Sequence, residues 1–497
     1  MIITLPILLP LAGALIAIAL GHLHALNRWI GIATSLLTLL VSVILLAAVD
    51  KAGVHVLHVG GWEAPFGIAL VADRFGAVMV AVSCLVAFCA SIYALKDIDD
   101  SLIKKHFVPL FLLLLMGVNG AYLTGDLFNL YVWFEVLLSS SFVLLVLGSE
   151  QKQLKGSLKY VVLNLLGSTF FLLGAGLLYG KVGTLNMADL AYKLSSHELS
   201  SLVNTSGILL LLAFGLKAGV FPLFFWLPNS YPTVPHTVSA LFAGLLTKVG
   251  IYAIIRSMTL FLSGAQDDMK ELLIAVALLT MVFGVLGAVA QKQIRQILSF
   301  HIISQVGYIL AGVALLTVAG LAGAIFYLVH HIIVKSNLFF IAGMIQHQRG
   351  SDDLSKSGNL RKLSPVLATL FFISAFSLAG LPLLSGFWAK LAVLKAGLQE
   401  EAWLLSSCVV LVGIVTLLSM LKIWIGSFWS GNGTSDSGEP IKSHPLPLSM
   451  LLPSILLAIL TLGLGIMGGE LYSFSLRAAE DLMDPMNIIA PVLKISP

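Results

Sequence analysis

The sequence predicts an all-α polytopic membrane protein with about fourteen transmembrane helices, and three observations carry that expectation. Of 497 residues, 58% are hydrophobic and only 10% charged, with a mean hydropathy of +1.00, which leaves too little polar surface for a soluble fold. The apolar residues fall into continuous runs, each near the roughly 20 residues that a helix needs to cross a bilayer. A transmembrane barrel would instead show alternating segments of about ten residues. Finally, Lys and Arg are unevenly shared: breaks after odd-numbered runs hold 14, and segments on the other side hold 8. Cytoplasmic loops collect basic residues, so both termini are expected outside. This topology signal explains the formal net charge of +4 without a nucleic acid or acidic partner.

The runs centre, in order, near Ala12, Leu39, Val82, Leu113, Leu137, Leu166, Leu212, Leu245, Ala277, Ile309, Ile332, Leu378, Leu411 and Leu457. The first starts apolar, without the basic leader of a cleaved signal peptide, and reads as a retained helix. Cys84 and Cys89 in the third run and Cys408 in the thirteenth lack metal-type spacing and read as packing residues. The fifth run, "TGDLFNLYVWFEVLL", holds Glu135 among aromatic and aliphatic neighbours, with Asp126 near its outer boundary. Polar breaks near 181–204, 346–364 and 430–447 separate later runs, and the last has the composition of a flexible linker. The tail from Leu476 is expected at the membrane interface.

Six of the 28 basic residues fall inside the runs: Lys217, Lys248, Arg256, Lys335, Lys390 and Lys422. A charge at the bilayer centre costs at least ~2.5–3.5 kcal/mol on insertion scales, and such residues usually face a protein interior or a hydrated path. Arg256 and Lys422 lie towards run ends, where snorkelling to the headgroups is an adequate explanation. Lys217, Lys248, Lys335 and Lys390 have no such escape, and either structural ion pairing or a proton path must account for them.

Helix breakers flank two of these. Lys217 precedes Pro222, Pro228, Pro232 and Pro235 in "GLKAGVFPLFFWLPNSYPTVP", and Gly380, Pro382 and Gly386 precede Lys390 in "SLAGLPLLSGFWAK". Proline removes an N–H donor, and freed backbone groups survive in lipid only where protein or water satisfies them. Two discontinuous helices lining a hydrated cavity are therefore expected, an arrangement that also fits an inverted internal repeat. Gly215 and Gly219 form a GxxxG pattern that suggests close helix packing.

In "FYLVHHIIVKSNLFF", His331 and Lys335 are four residues apart and share a helix face, with His330 about a quarter-turn away. Histidine titrates near neutral pH, so the pair suits proton transfer better than metal binding, for which no carboxylate or cysteine lies at ligand spacing. His301, Ser304 and Gln305 make a nearby stripe that either orders water or bonds neighbouring helices. Glu135 would simply protonate if isolated in an apolar core. Pairing with Lys217 lets both charges persist and lets the carboxylate set whether the lysine holds its proton.

No Walker loop, Rossmann fingerprint, CxxC or HExxH occurs, since "GAGLLYGK" at 174–181 has Ala175 where the first Walker glycine belongs. No nucleotide, haem, cluster or catalytic metal is expected, and no enzymatic reaction.

"GDLFNLYVWFEVLL", "GLKAGVFPLFFWLPNSYPTVP", "HTVSALFAGLLTKVGIYAIIR" and "LAGLPLLSGFWAK" together resemble the antiporter-like subunit family shared by Mrp-type multisubunit cation/proton antiporters and respiratory complex I. The likeness spans about residues 70–430, and "KYVVLNLLGS" and "GTLNMADLA" bring it nearest the D-subunit branch of the Mrp Na+/H+ antiporters. The resemblance implies fourteen helices, with three preceding two inverted five-helix repeats, placing boundaries at 1–103, 104–263, 264–430 and 431–497. It also implies that Glu135 is the fifth-helix glutamate paired with Lys217, that Lys248 is the eighth-helix lysine, that His331 and Lys335 form the eleventh-helix pair, and that Lys390 is the twelfth-helix cation. Lys217 precedes its break whereas Lys390 follows its own, so the two do not occupy equivalent repeat positions.

A proton-translocating subunit of a Na+/H+ antiporter in a prokaryotic cell membrane is therefore the leading expectation, with other membrane subunits as partners and protons and Na+ as the ions. A proton-pumping subunit of a redox enzyme is the alternative, since its path would be built alike. Against the longest complex I subunit, only 27 residues follow Glu470, too few for a long lateral helix. An anion carrier would need one compact cationic pocket, which cations spread over several helices do not form.

Overall fold

The structure is a computed structural model that describes residues 2–195, 201–262, 266–429 and 444–495. Most of the linker expected at 430–447 thus lies outside the described residues. Helices α1 (Leu5–Ala19), α2 (His24–Ala52) and α3 (Arg74–Asp97) come first, with a small hairpin of β1 (His55–His58) and β2 (Ala69–Ala72) between the last two. Next come α4 (Phe107–Leu123), α5 (Leu127–Val146), α6 (Gln151–Val182), α7 (Ser201–Ala218) and α8 (His236–Leu260). They are followed by α9 (Gln266–Ala290), α10 (Ile294–Ala314), α11 (Val318–Arg349), α12 (Pro365–Ala379), α13 (Ser385–Gln399) and α14 (Trp403–Ile423). The chain closes with α15 (Leu448–Ile466) and two short tail helices, α16 (Gly468–Met483) and α17 (Met486–Leu493). Among the described residues, eleven helical stretches are long and apolar enough to cross a membrane, and three shorter apolar helices lie in α4, α7 and α12. Each of the fourteen expected runs falls on one of them, as an all-α polytopic membrane protein requires.

Local chemistry sets the helix ends. Asp73 caps α3 by accepting from Gly76 N at 2.9 Å, and Asp126 caps α5 by accepting from Asn129 N at 2.7 Å. Both α6 and α11 run for 32 residues and stop at a left-handed glycine, Gly183 or Gly350. At the centre lies α8, fully buried over its apolar window, with the windows of α10 and α11 94% and 89% buried; the corresponding stretch of α2, at 28%, is peripheral.

The two helix breaks share one construction. Helix α7 ends with Gly219 N–H on Leu216 O at 3.2 Å and Val220 N–H on Gly215 O at 3.1 Å. Helix α12 ends with Gly380 N–H on Ser377 O at 3.0 Å and Leu381 N–H on Phe376 O at 3.0 Å. Both are Schellman terminations, with glycine at φ +74° and +93° in the left-handed region. The GxxxG expectation is corrected here: Gly215 and Gly219 stop a helix instead of seating a neighbour. Beyond the first break, Trp226 Nε1 donates to Leu216 O at 3.1 Å and Phe221 N to Thr280 Oγ1 at 3.0 Å, so protein groups satisfy the interrupted backbone.

Arg256 does not snorkel. Its guanidinium donates to both oxygens of Asp73, at 2.8 and 2.9 Å, and to Tyr252 Oη at 2.8 Å, all buried. The fork geometry of arginine suits this bidentate contact, and Asp73 serves α3 as cap while it holds α8 as counter-ion. The loops also gather at two ends. At one, Leu70 bridges Thr124, Asp126 bridges Asn186, Arg74 binds Asp50 and Asp481, and Lys494 binds Glu63, which ties the tail helices to the hairpin. At the other, Gln293 bridges Asp353 and Arg295 binds Asp352 and Val234 O.

Replacing Arg256 with Met leaves Asp73 buried without its counter-ion, a loss of about 3–5 kcal/mol. Thermal unfolding of the purified complex should therefore shift clearly downward for Arg256→Met, and Asp73→Asn in the same chain should recover part of the loss; an unchanged melting temperature in the single variant would contradict the clasp.

Candidate functional site

The site begins where α5, α6 and α7 meet. Lys217 lies in the last turn of α7, just before its terminating glycine, and is buried. Its Nζ donates to Asn164 O at 3.2 Å and to Ser168 Oγ at 3.4 Å, both on α6, and stands 5.8 Å from the centre of the Phe134 ring. Ser168 Oγ donates in turn to Glu135 Oε1 at 2.5 Å. Among the described residues Glu135 and Lys217 form no direct ion pair, and the hydroxyl of Ser168 stands between ammonium and carboxylate. A hydroxyl that accepts from one group while donating to another can pass a proton by exchanging both bonds. Asn164, Tyr160, Trp226 and Leu246 border a cavity of ≈ 10 Å³ beside Lys217, about the volume that one water needs.

Ser168 escapes a reading of charges alone. Its trace is the spacing of Asn164 and Ser168, four residues apart in an apolar helix, which puts two polar groups on one face.

The second group lies on α8, α10 and α11. Gly250 of α8 packs on the end of α7, where an added Cβ would lie 2.6 Å from Ala218 N, so the two groups adjoin. A π-turn, Phe242–Leu246, interrupts α8, and Lys248 Nζ donates to the Ala243 carbonyl within it. π-turns inside α-helices are frequent at functional sites. Lys335 and His331 are fully buried on α11, and His331 lies in electrostatic range of Lys248, Lys335, His330 and His301. Among the described residues, Lys335 Nζ, both ring nitrogens of His331, His301 Nδ1, Ser304 Oγ and Gln305 Nε2 have no protein partner. Buried polar atoms are almost always hydrogen-bonded, so a cluster of them in one place marks a position for ordered water. The stripe on α10 bonds neighbouring helices. His301 Nε2 shares a bond with Ser419 Oγ at 2.9 Å and Gln305 Oε1 accepts from Tyr327 Oη.

The third group surrounds the second break. Lys390 on α13 reaches back to α12, donating to Ala379 O at 2.8 Å, and stands 4.9 Å from the Tyr308 ring. A cation beside the last carbonyls of a helix meets the negative end of its dipole. His330 turns to this break, sharing a bond with Ser385 Oγ at 2.8 Å, and His301 lies in range of both Lys335 and Lys390. Aligned on the terminating glycines, the position of Lys217 falls on Leu378, so the cations of the two breaks are indeed not equivalent. Lys422 stands apart, donating to Val289 O at 2.8 Å and Gln291 O at 2.6 Å at the end of α9.

The family described as NADH:quinone oxidoreductase/Mrp antiporter, TM, matches residues 124–416, the segment that holds all three groups. The chain belongs to this family. Its relatives include the D-subunit of the Na+/H+ antiporter of Alkalihalophilus pseudofirmus, 45% identical over 99% of both chains. Among solved structures, a chain of the Mrp complex from Dietzia sp. DQ12-45-1b superposes with a TM-score of 0.92 at 35% identity, covering 99% of each chain. A chain of an archaeal membrane-bound sulfane sulfur reductase superposes with a TM-score of 0.91 at 30% identity over the same share. The family therefore includes members named for antiport and members named for redox chemistry.

Ser168→Ala removes the group between Glu135 and Lys217, and a hydrogen bond to a charged group contributes about 1.5–3 kcal/mol. The expected outcome is a proton-transport rate lower by about tenfold or more, with Ser168→Thr retaining most of it, measured by ΔpH fluorescence in vesicles at matched complex content. Equal rates for the Ala and Thr variants would remove Ser168 from the path.

Proposed function

We propose that this chain is the proton-translocating membrane subunit of a multisubunit Na+/H+ antiporter. Protons move from Glu135 through Ser168 to Lys217, then by ordered water to Lys248, His331 and Lys335, and on to Lys390. One observation carries the reading: four buried or half-buried lysines lie on α7, α8, α11 and α13, each of which packs against the next, and among the described residues Lys335 Nζ and both ring nitrogens of His331 are buried without a protein partner. A carrier for one solute would gather its cations in one pocket, whereas a row of titratable groups spread over successive helices suits proton hopping.

The chain works beside other membrane subunits in the bilayer of a prokaryotic cell, with the proton gradient driving Na+ outward. Both termini lie outside, which puts the hairpin, Asn186 and the tail helices on the outer end. The three-helix unit of 1–103 precedes repeats at 104–263 and 264–430, and the segment 431–497 follows. Support for the repeats comes from the equal lengths of α6 and α11 and from the shared Schellman terminations of α7 and α12. The second reading, a subunit of a redox-driven pump, is favoured by the likeness to the sulfane sulfur reductase chain and by a family description that spans both kinds of protein.

Sodium added to vesicles holding the purified complex, with no electron donor or acceptor present, separates the two. Antiport predicts an immediate Na+-dependent ΔpH change; silence that only an electron donor relieves would establish the pump. In the same assay Lys217→Ala should abolish exchange in an intact complex, and Glu135→Asp should keep more activity than Glu135→Gln. Normal exchange by Lys217→Ala would refute the proton path drawn here.

A further inference from the structure

Helix α13 stands as a ridge between two apolar clefts. Its outward face carries Trp388, Leu391 and Lys395 at helical spacing, all exposed. On one flank a cleft of ≈ 380 Å³ lies between α13 and α14, walled by Leu394, Val410 and Ile414 and reaching Lys390 at its base. On the other flank a cleft of ≈ 260 Å³ lies between α13, α11 and α16, walled by Phe326, Ala392 and Tyr472. Leu391 borders both. The second cleft is held open by a close fit: Trp388 Nε1 donates to Gly465 O at 2.8 Å, and a Cβ on Gly468 would lie 2.7 Å from the indole.

Lys395 sits one turn beyond Leu391 towards the end of α13, about 7.5 Å along the axis from Lys390 at a rise of 1.5 Å per residue. Among the described residues it has no acidic partner within ion-pair distance. The shape is thus two apolar slots that share one crest, with a single unpaired cation above it. A transmembrane helix of a partner would meet one continuous groove better than two slots divided by a ridge.

We propose that an anionic phospholipid straddles α13, with its phosphate on Lys395 and one acyl chain in each cleft. The chain between α13 and α14 seals the base of that cleft, so Lys390 exchanges protons inward and not with the lipid side. An ammonium near a membrane surface contributes about a fivefold preference for an anionic head, while the two clefts supply apolar area whatever the headgroup.

The test uses the intact complex in vesicles with phosphatidylglycerol carrying a diazirine in one acyl chain, and labelled residues are mapped by peptide mass spectrometry. Labelling is expected on both flanks, at Leu394, Val410 or Ile414 and at Phe326 or Tyr472. Lys395→Gln should lower it about fivefold, Lys395→Arg should preserve it, and Leu391→Trp should reduce it on both flanks together. Equal labelling by the matching phosphatidylcholine probe, or no change in Lys395→Gln, would overturn the anionic head. Labelling of one flank only would overturn the straddling pose, as would a disulfide from Ile414→Cys to a partner subunit, which would make this face a protein interface.

Discussion

Hydrocarbon offers a polar group no partner, so whatever this chain holds at mid-depth it must satisfy from within or with water that it admits. The rest of the structure follows from that constraint. Where α7 and α12 stop inside the membrane, the interrupted backbone is met by Schellman hydrogen bonds, by Trp226 and by Lys390 itself. Where Arg256 enters the interior, Asp73 meets it with both oxygens. Among the described residues, Lys335 Nζ and both ring nitrogens of His331 have no such protein partner, and the proposed path runs through them.

The three groups also use their lysines differently. Lys217 is tied through Ser168 to a carboxylate, Lys248 rests on a carbonyl inside a π-turn, and Lys390 sits on the closing carbonyl of a half-helix. Among the described residues, only the first is linked to an acid, Glu135, through Ser168. On the proposed path a proton would leave a lysine tied to a carboxylate for lysines that rest on backbone carbonyls or, at Lys335, on no protein group among the described residues.

The sequence made the spans legible because hydropathy is a property of local stretches, and each of the fourteen centres lies on an apolar helix. Both breaks were legible for the same reason, since Gly and Pro act on their own backbone. What stayed hidden depends on residues far apart in the chain. Arg256 and Asp73 are separated by 183 positions, and nothing around either names the other. Ser168 looked like one more serine in a membrane helix, where hydroxyls commonly bond the preceding turn. Gly215 and Gly219 misled because one spacing serves both helix packing and helix termination, and only the positive φ of Gly219 tells them apart.

The π-turn of α8 has a consequence for how this chain can vary. A π-turn contains one residue more than an α-turn of equal span, so losing a single codon between Phe242 and Leu246 would let the helix relax to regular winding with everything beyond it still in register. Arg256 would keep Asp73, and what would be lost is the widened turn whose Ala243 carbonyl holds Lys248. The same loss anywhere else between His236 and Arg256 would turn the rest of the helix by about 100° and part both residues from their neighbours.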